Sequence, residues 1–416
     1  VRGRGNLYGE LFTLSLSLSQ QGRGNSFRIS KSGGIGDLTY YFFCSKVTVT
    51  KSNILKEGFM KEESLFDSLL RRGVSRRDFM KFCTSMAATL ALPSAFSAQI
   101  AEALEKKQKP YVVWLELSDC AGDSEAILRS SRPTIGQLVL DVISLEYHET
   151  IMAPSGHNAE KSLHDVVKNH KGKYIAIVEG AIPMKDGGVY CTIAGRTALE
   201  IAKEVCGNAM ATLAVGSCAS FGGVAAAKPN PTQCVGLKEA VPSATVVNLP
   251  GCPVNPENVT ATVVHFLTFG TLPALDKNHR PLFAYGKRIH DNCERRPHFD
   301  AGQFVQKWGD EGHRLGWCLY EVGCKGPQSY MNCPTIRFNE GTSWPVMAGH
   351  PCFACGMPQS WDALGPIYSR LPNVPGASYQ ATADKVGVAV VGAAAAGVAA
   401  HAIIRASTSK GKQENK

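Results

Sequence analysis

The sequence predicts an α/β fold: a parallel-sheet domain over residues 110–282, an irregular cysteine-rich domain over 283–375, and a C-terminal transmembrane helix at 385–405. Three observations carry this reading. Between 110 and 270, short apolar runs alternate with helical stretches, the pattern of strands covered on both faces by crossover helices. From about 283 periodicity disappears, and Cys, Gly, Pro, Trp and His dominate. Residues 386–404 contain no Asp, Glu, Lys or Arg.

The chain begins unlike the rest. Residues 1–59 are rich in Gly, Ser and Arg and show no period. Met60 opens a segment that reads as a start, so 1–59 is a doubtful leader translated from too early a start codon; a disordered extension is the alternative. Residues 60–103 read as a twin-arginine signal peptide. Ser75-Arg76-Arg77-Asp78-Phe79-Met80-Lys81 precedes an apolar stretch, and Ala101-Glu102-Ala103 offers a cleavage site. That export route carries folded proteins, so metal groups can be inserted in a reducing compartment first.

In the sheet domain, 111–115, 174–178 and 212–215 read as buried strands and 197–205 as a helix. Ligands of such sheets sit in loops beyond the carboxyl ends of the strands. Cys120, Cys218 and Cys252 fall in such loops, the last after the run 245–249. The segment 283–375 has too little regular structure to hold itself together, and metal binding can supply the missing folding energy. The nineteen residues 386–404 make roughly 28 Å of helix, about one bilayer core. Their many Ala and Gly suit packing against another membrane helix. Arg405, Lys410, Lys412 and Lys416 follow and place the tail 406–416 on the cytoplasmic side. A buried Ala-rich helix is the alternative. The net charge of +9 is scattered, with no basic stripe among aromatics, so no nucleic-acid partner is expected.

Fourteen cysteines in a chain of 416 residues are too many, and too grouped, for structural thiols alone. Three ligand sets can be assembled. The first is Cys120, Asp123, Cys218 and Cys252, in DCAGDSE, GSCASFGG and LPGCPVNP. Flanking glycines permit tight loops whose N–H groups point at an inorganic cluster, and the set can wrap one [4Fe–4S] cube. The second is His290, Cys293, Cys318 and Cys324, in IHDNCER and WCLYEVGC. One neutral imidazole in place of a thiolate leaves a [4Fe–4S] cluster less negative and raises its potential. The third is Cys333, Cys352 and Cys355, in NCPTIRF and GHPCFACG, with Pro345 in the intervening stretch where a fourth cysteine could serve. Three thiolates suit a [3Fe–4S] cluster. A lone Cys-x-x-Cys fits zinc or a redox thiol equally well.

Taken in order over about 110–362, these motifs resemble the small subunit of nickel–iron hydrogenases, and the signal and anchor resemble the membrane-bound uptake type. The resemblance implies a flavodoxin-like domain holding the proximal [4Fe–4S] cluster and facing a large subunit. It implies a second domain with the medial [3Fe–4S] and distal [4Fe–4S] clusters. The nickel–iron centre would lie in the large subunit, and no catalytic residue is expected in this chain. Electrons would pass from hydrogen through the clusters to a membrane cytochrome b and quinone, on the periplasmic side of the inner membrane. A dimer of heterodimers is an assembly it allows.

Asp123 departs from the pattern, since the family usually has Cys-x-x-Cys in the first motif. The carboxylate ligates iron, or water or another residue fills the place, or the cluster has three irons; ligation by Asp123 is the reading taken. Carboxylate is a harder donor than thiolate. Ala121-Gly122 and Gly222-Gly223 stand where the oxygen-tolerant branch carries extra cysteines, so no six-cysteine centre is expected. Cys191, Cys206 and Cys234 match no motif and read as structural thiols; Cys83 falls in the signal and Cys44 in the leader. His401 is either a haem contact or a tolerated polar residue. Glu125 either shapes the proximal environment or is a buried hydrogen-bonding residue. The rival readings are an exported iron–sulfur carrier without hydrogenase activity, a quinone-reductase subunit, and a zinc-stabilised structural protein.

Overall fold

The computed structural model describes residues 74–106, 109–130, 143–339, 341–358, 360–365, 367–371 and 383–413. The leader 1–59 and the start at Met60 lie outside the described residues.

Two helices come first, α1 (Arg76–Thr89) and α2 (Phe96–Lys106). The sheet domain follows: β1 (Tyr111–Glu116), α3 (Gly122–Leu128), β2 (Ser144–His148), α4 (His157–Asn169), β3 (Tyr174–Glu179), α5 (Ala198–Asn208), β4 (Ala211–Val215), α6 (Gly216–Phe221), β5 (Val246–Leu249) and α7 (Pro256–Phe269). The five strands form one sheet in the order β2-β1-β3-β4-β5, every pair parallel. This is the strand order of flavodoxin-like sheets, whose ligands lie at the switch point between β1 and β3. The predicted strands form within a residue, the predicted helix at 197–205 runs on to Asn208, and Thr197 caps α5 in a capping box with Glu200. The edge strand β2 was not legible, because SLEYH is only half buried.

Successive strand residues face opposite sides, and both sides are apolar. Val112 and Trp114, Ile175 and Ile177, and Leu213 and Val215 pack beneath α1, α2 and α7. Val113 and Leu115, Ala176 and Val178, and Ala214 pack beneath α4 and α5. The described part of the segment expected as a signal peptide packs into this core. Phe79, Met86, Ile100 and Leu104 are buried there, each contributing about 1.5–3 kcal/mol, while Arg76 and Arg77 stay exposed. Ala101-Glu102-Ala103 lies inside α2.

Among the described residues of 283–371, the regular structure is helical turns of three to five residues and isolated bridges. Their apolar side chains, including Tyr285, Ile289, Leu319 and Trp344, join the core on the α7 side of the sheet. The irregular region has too few apolar residues for a separate interior and completes one against the sheet domain.

The uncharged run forms one helix, α8 (Ala383–Gln413). Among the described residues, no helix is long and apolar enough to cross a membrane. The expected transmembrane span is therefore not supplied by the structure. The run is mostly Ala and Gly, whose short side chains carry little hydrophobicity each. His401 is exposed on this helix.

Candidate metal centres

Every cysteine among the described residues is a free thiol. The first set gathers at the carboxyl end of the sheet. Cys120 lies in the loop after β1, Asp123 in the first turn of α3, Cys218 in α6 directly after β4, and Cys252 just beyond β5. Glu179, the last residue of β3 and 1% exposed, holds the start of α3. Its Oε1 accepts the Asp123 N–H at 2.8 Å, and its Oε2 accepts the Ser124 N–H at 2.9 Å and the Ser124 hydroxyl at 2.6 Å. This aims the buried Asp123 carboxylate at the other loops, where its Oδ1 accepts the Val254 N–H at 2.5 Å. Ser217 couples two of the loops: its N–H donates to the Gly251 carbonyl at 2.7 Å, and its Oγ accepts the Gly251 N–H at 3.2 Å.

Burial pushes the Asp123 carboxyl up to about 6; the Val254 N–H opposes this and Asp119 adds to it. Burial pushes the Cys218 thiol up to about 12, and Cys252, Asp123 and Cys120 push in the same direction. Four groups that repel one another as anions become compatible once cationic iron lies among them. Glycines make the room. A Cβ on Gly223 would meet the Cys218 Sγ at 2.5 Å, one on Gly122 the Cys120 Sγ at 3.1 Å, and one on Gly216 the Asp123 Oδ2 at 1.9 Å. Three thiols and a carboxylate around such a cradle fit an iron–sulfur cluster.

The second set, His290, Cys293, Cys318 and Cys324, lines one cavity with Ile289, Leu319 and Val346. Buried Arg295 braces it, donating from Nε to the Val346 carbonyl at 3.0 Å and from Nη1 to the Trp317 carbonyl at 2.7 Å. Its N–H points at the Cys293 sulfur, 3.4 Å away. Burial lowers the pKa of His290, as does Arg296, which favours the neutral imidazole a metal requires.

The third set, Cys333, Cys352 and Cys355, lines an apolar cavity to which Pro345 and Cys252 also contribute. Burial, with Cys355 second, drives the Cys352 thiol up to about 11. Arg280, 3% exposed, pins the end of the Cys355 loop by donating to the Gly356 carbonyl at 2.7 Å. The sets stand in the spatial order first, third, second. Cys252 of the first set lines the same cavity as the third set, and the Cys352 N–H donates to the Cys324 sulfur at 3.3 Å.

Sequence reasoning missed Glu179, Arg280 and Arg295. Glu179 did leave a signal, as the one charge ending the apolar run YIAIVE. Glu125, named instead, has a side chain 60% exposed, and it faces Arg129 at 3.6 Å. Cys206 and Cys234 are buried and Cys191 half-buried, in keeping with structural thiols.

The family described as the C-terminal part of the NiFe/NiFeSe hydrogenase small subunit matches residues 285–368. The family described as NADH ubiquinone oxidoreductase, 20 Kd subunit, matches residues 120–266. The quinone-reactive Ni/Fe-hydrogenase small chain of Wolinella succinogenes is 47% identical over 81% of this chain and 97% of its own length. The periplasmic [NiFe] hydrogenase small subunit 1 of Nitratidesulfovibrio vulgaris is 49% identical over 74% of this chain and 97% of its own. Among solved structures, a reduced, active form of the Ni-Fe-Se hydrogenase from Desulfomicrobium baculatum aligns with a TM-score of 0.60 at 32% identity, covering 64% of this chain and all of that one. Relatives matched this closely over nearly their full length show that the chain belongs to the small subunits of nickel–iron hydrogenases, the electron-transferring partners of a large subunit that holds the catalytic centre.

Proposed function

We propose that this chain carries electrons from hydrogen oxidation in the large subunit, through a proximal [4Fe–4S], a medial [3Fe–4S] and a distal [4Fe–4S] centre, to a membrane cytochrome b and quinone. The observation that carries it is the continuous order of the ligand sets: Cys252 lines the cavity of the third set, and the Cys352 N–H reaches the Cys324 sulfur. Iron–sulfur clusters supply one-electron chemistry at each place. The chain's residues do the rest. Cys120, Asp123, Cys218 and Cys252 hold the proximal centre, and the exposure of Cys120 and Cys252 supports a covering partner there. Cys333, Cys352 and Cys355 hold the medial centre in apolar surroundings that exclude water. His290, Cys293, Cys318 and Cys324 hold the distal centre, with His290 toward solvent.

The name of the Wolinella relative supports quinone as the acceptor, and that of the Nitratidesulfovibrio relative a periplasmic site. Membrane attachment through α8 rests on its sequence: the uncharged run 386–404, with Val390, Val391, Val398, Ile403 and Ile404 exposed and Arg405 following. The exposed twin arginines Arg76 and Arg77 support export by the twin-arginine route before attachment.

The test is a pull-down of the tagged chain from anaerobic membranes, assayed for hydrogen-dependent dye reduction and for the co-purifying chains. A large subunit with activity is expected. An iron–sulfur protein with no partner and no activity would replace this reading by that of an exported electron carrier. Removal of 383–416 is expected to release active protein from the membrane fraction; retention there would sink the anchor.

A further inference from the structure

His148 ends the edge strand β2 and is 4% exposed, yet it belongs to none of the three ligand sets. The register of β2 on β1 sets it opposite Trp114, and the two rings stack with centroids 5.2 Å apart and planes 23° apart. A buried imidazole has two nitrogens to satisfy. Nδ1 accepts the Thr150 N–H at 3.3 Å, and the Thr150 hydroxyl donates in turn to the Glu116 carboxylate. Glu116 itself stands 3.9 Å from Nδ1, outside hydrogen-bond reach. This pattern assigns the ring proton to Nε2, which faces the Ser124 Oγ at 3.4 Å.

Ser124 passes the contact on. Its single hydroxyl proton goes to the Glu179 Oε2 at 2.6 Å, so toward His148 the oxygen accepts. Glu179 also receives the N–H groups of Asp123 and Ser124. Donation therefore runs one way, from Thr150 to His148, from His148 to Ser124 and from Ser124 to Glu179, and it ends on the group that holds the first turn of α3. The line crosses from the end of β2 through α3 to β3, and so ties the edge of the sheet to the turn that carries Asp123.

We propose that His148 is a positioning residue for the first centre: by donating to Ser124 it fixes the direction of that hydroxyl, and through Glu179 it keeps the Asp123 carboxylate in one place. This rests on the electron-relay reading above. Groups that orient a metal donor tune the metal as well as hold it. Without the Nε2 donor, Glu179 and the first turn of α3 have more than one arrangement. The held arrangement is favoured by one net hydrogen bond, roughly a fivefold population ratio. A centre whose donor occupies several places has several potentials, whereas a relay step needs one.

The test uses the full chain purified with its large subunit, in the unsubstituted form and as His148→Phe, His148→Gln, Ser124→Ala and the double variant of His148→Phe with Ser124→Ala. Phe keeps a flat ring against Trp114 and removes the donor, while Gln keeps a donor. The readout is the EPR spectrum and redox titration of each centre. His148→Phe is expected to retain the iron of all three sets and to broaden the first-set signal at unchanged spin count. It should also spread the titration of that centre beyond the about 59 mV per tenfold change of a single one-electron couple. The other two centres should not move. His148→Gln should restore the narrow signal, and the double variant should match Ser124→Ala alone, because both substitutions break the same link. Exposed His157→Phe serves as control and should change none of the signals. An unchanged first-set signal in His148→Phe, equal broadening in His148→Gln, a double variant worse than Ser124→Ala, or broadening at all three centres would each overturn the proposal. Loss of the first-set iron in both His148 variants would overturn it too, assigning His148 to folding. Absence of iron from the unsubstituted protein would overturn the relay reading instead, so the two failures are distinct.

Discussion

The backbone N–H of Cys352 donates to the sulfur of Cys324 across 3.3 Å, joining two ligand sets that the sequence separates by 28 positions. With Cys252 lining the cavity of the third set, it places the three groups in an order that differs from their order along the chain. The physical consequence is a short connection, through one hydrogen bond and a few covalent bonds, between the second and third sets.

The first prediction concerns Asp123. Asp123→Ala is expected to lose iron from the first set while the other two keep theirs. Asp123→Cys is expected to retain iron there with altered spectra, because thiolate is the softer donor. Iron analysis with EPR of the purified complex checks both. An alanine variant with unchanged iron and spectrum would exclude ligation by the carboxylate.

Gly216→Ala should act on the same place without touching a donor. Its φ of +77° already disfavours a side chain, at roughly 1–2 kcal/mol, and the new Cβ would fall 1.9 Å from the Asp123 Oδ2. The carboxylate must move. The expected outcome is loss of the first-set EPR signature with the others intact; an unchanged signature would mean that Asp123 has no fixed position.

Glu179→Gln tests the brace beneath the first loop. The carboxylate accepts three hydrogen bonds from Asp123 and Ser124. An amide offers one carbonyl and turns donors toward donors, costing about 1–3 kcal/mol. Thermal unfolding should show the loss, together with weaker iron retention at the first set. Stability equal to that of the parent would remove Glu179 from this role.

Glu149 gives a pH dependence. Burial is the main cause that pushes its carboxyl from 4.5 up to about 7, with the Glu116 N–H opposing. A carboxyl with a raised folded-state pKa contributes stability that is complete below the unfolded value and is lost as pH rises through the folded one. The Glu149→Gln variant should therefore melt higher than the parent at pH 8, by on the order of 1–2 kcal/mol after allowing for partial exposure, and the gap should close toward pH 4.5. Melting curves across that window check it; a gap independent of pH would refute the assignment.

Much of the fold was legible because the sheet is buried on both faces. Strands such as 174–178 must then be continuous apolar runs, and such runs stand out between helical stretches. The half-buried edge strand β2 carries no such run and was missed. The helices at 76–106 carry the apolar spacing expected of a targeting segment, and here that spacing packs Phe79, Met86 and Ile100 into the core beside the sheet. The residues that the fold gathers into three groups stood out in the sequence because cysteines in short-spaced, glycine-flanked loops have few other uses. The braces Glu179, Arg280 and Arg295 were not, since nothing in a single charged residue reveals whether it will be buried against a carbonyl or lie in water.

Strand burial, turn glycines and thiol chemistry act over a few residues, so the order of residues alone specified the parallel α/β architecture and marked out the residues that gather into the three groups. Folding in three dimensions was needed to put the third set between the first and the second and to make Glu179 aim Asp123. Those relations join residues tens of positions apart, and they arise only when the irregular region closes its apolar side chains onto the core of the sheet domain.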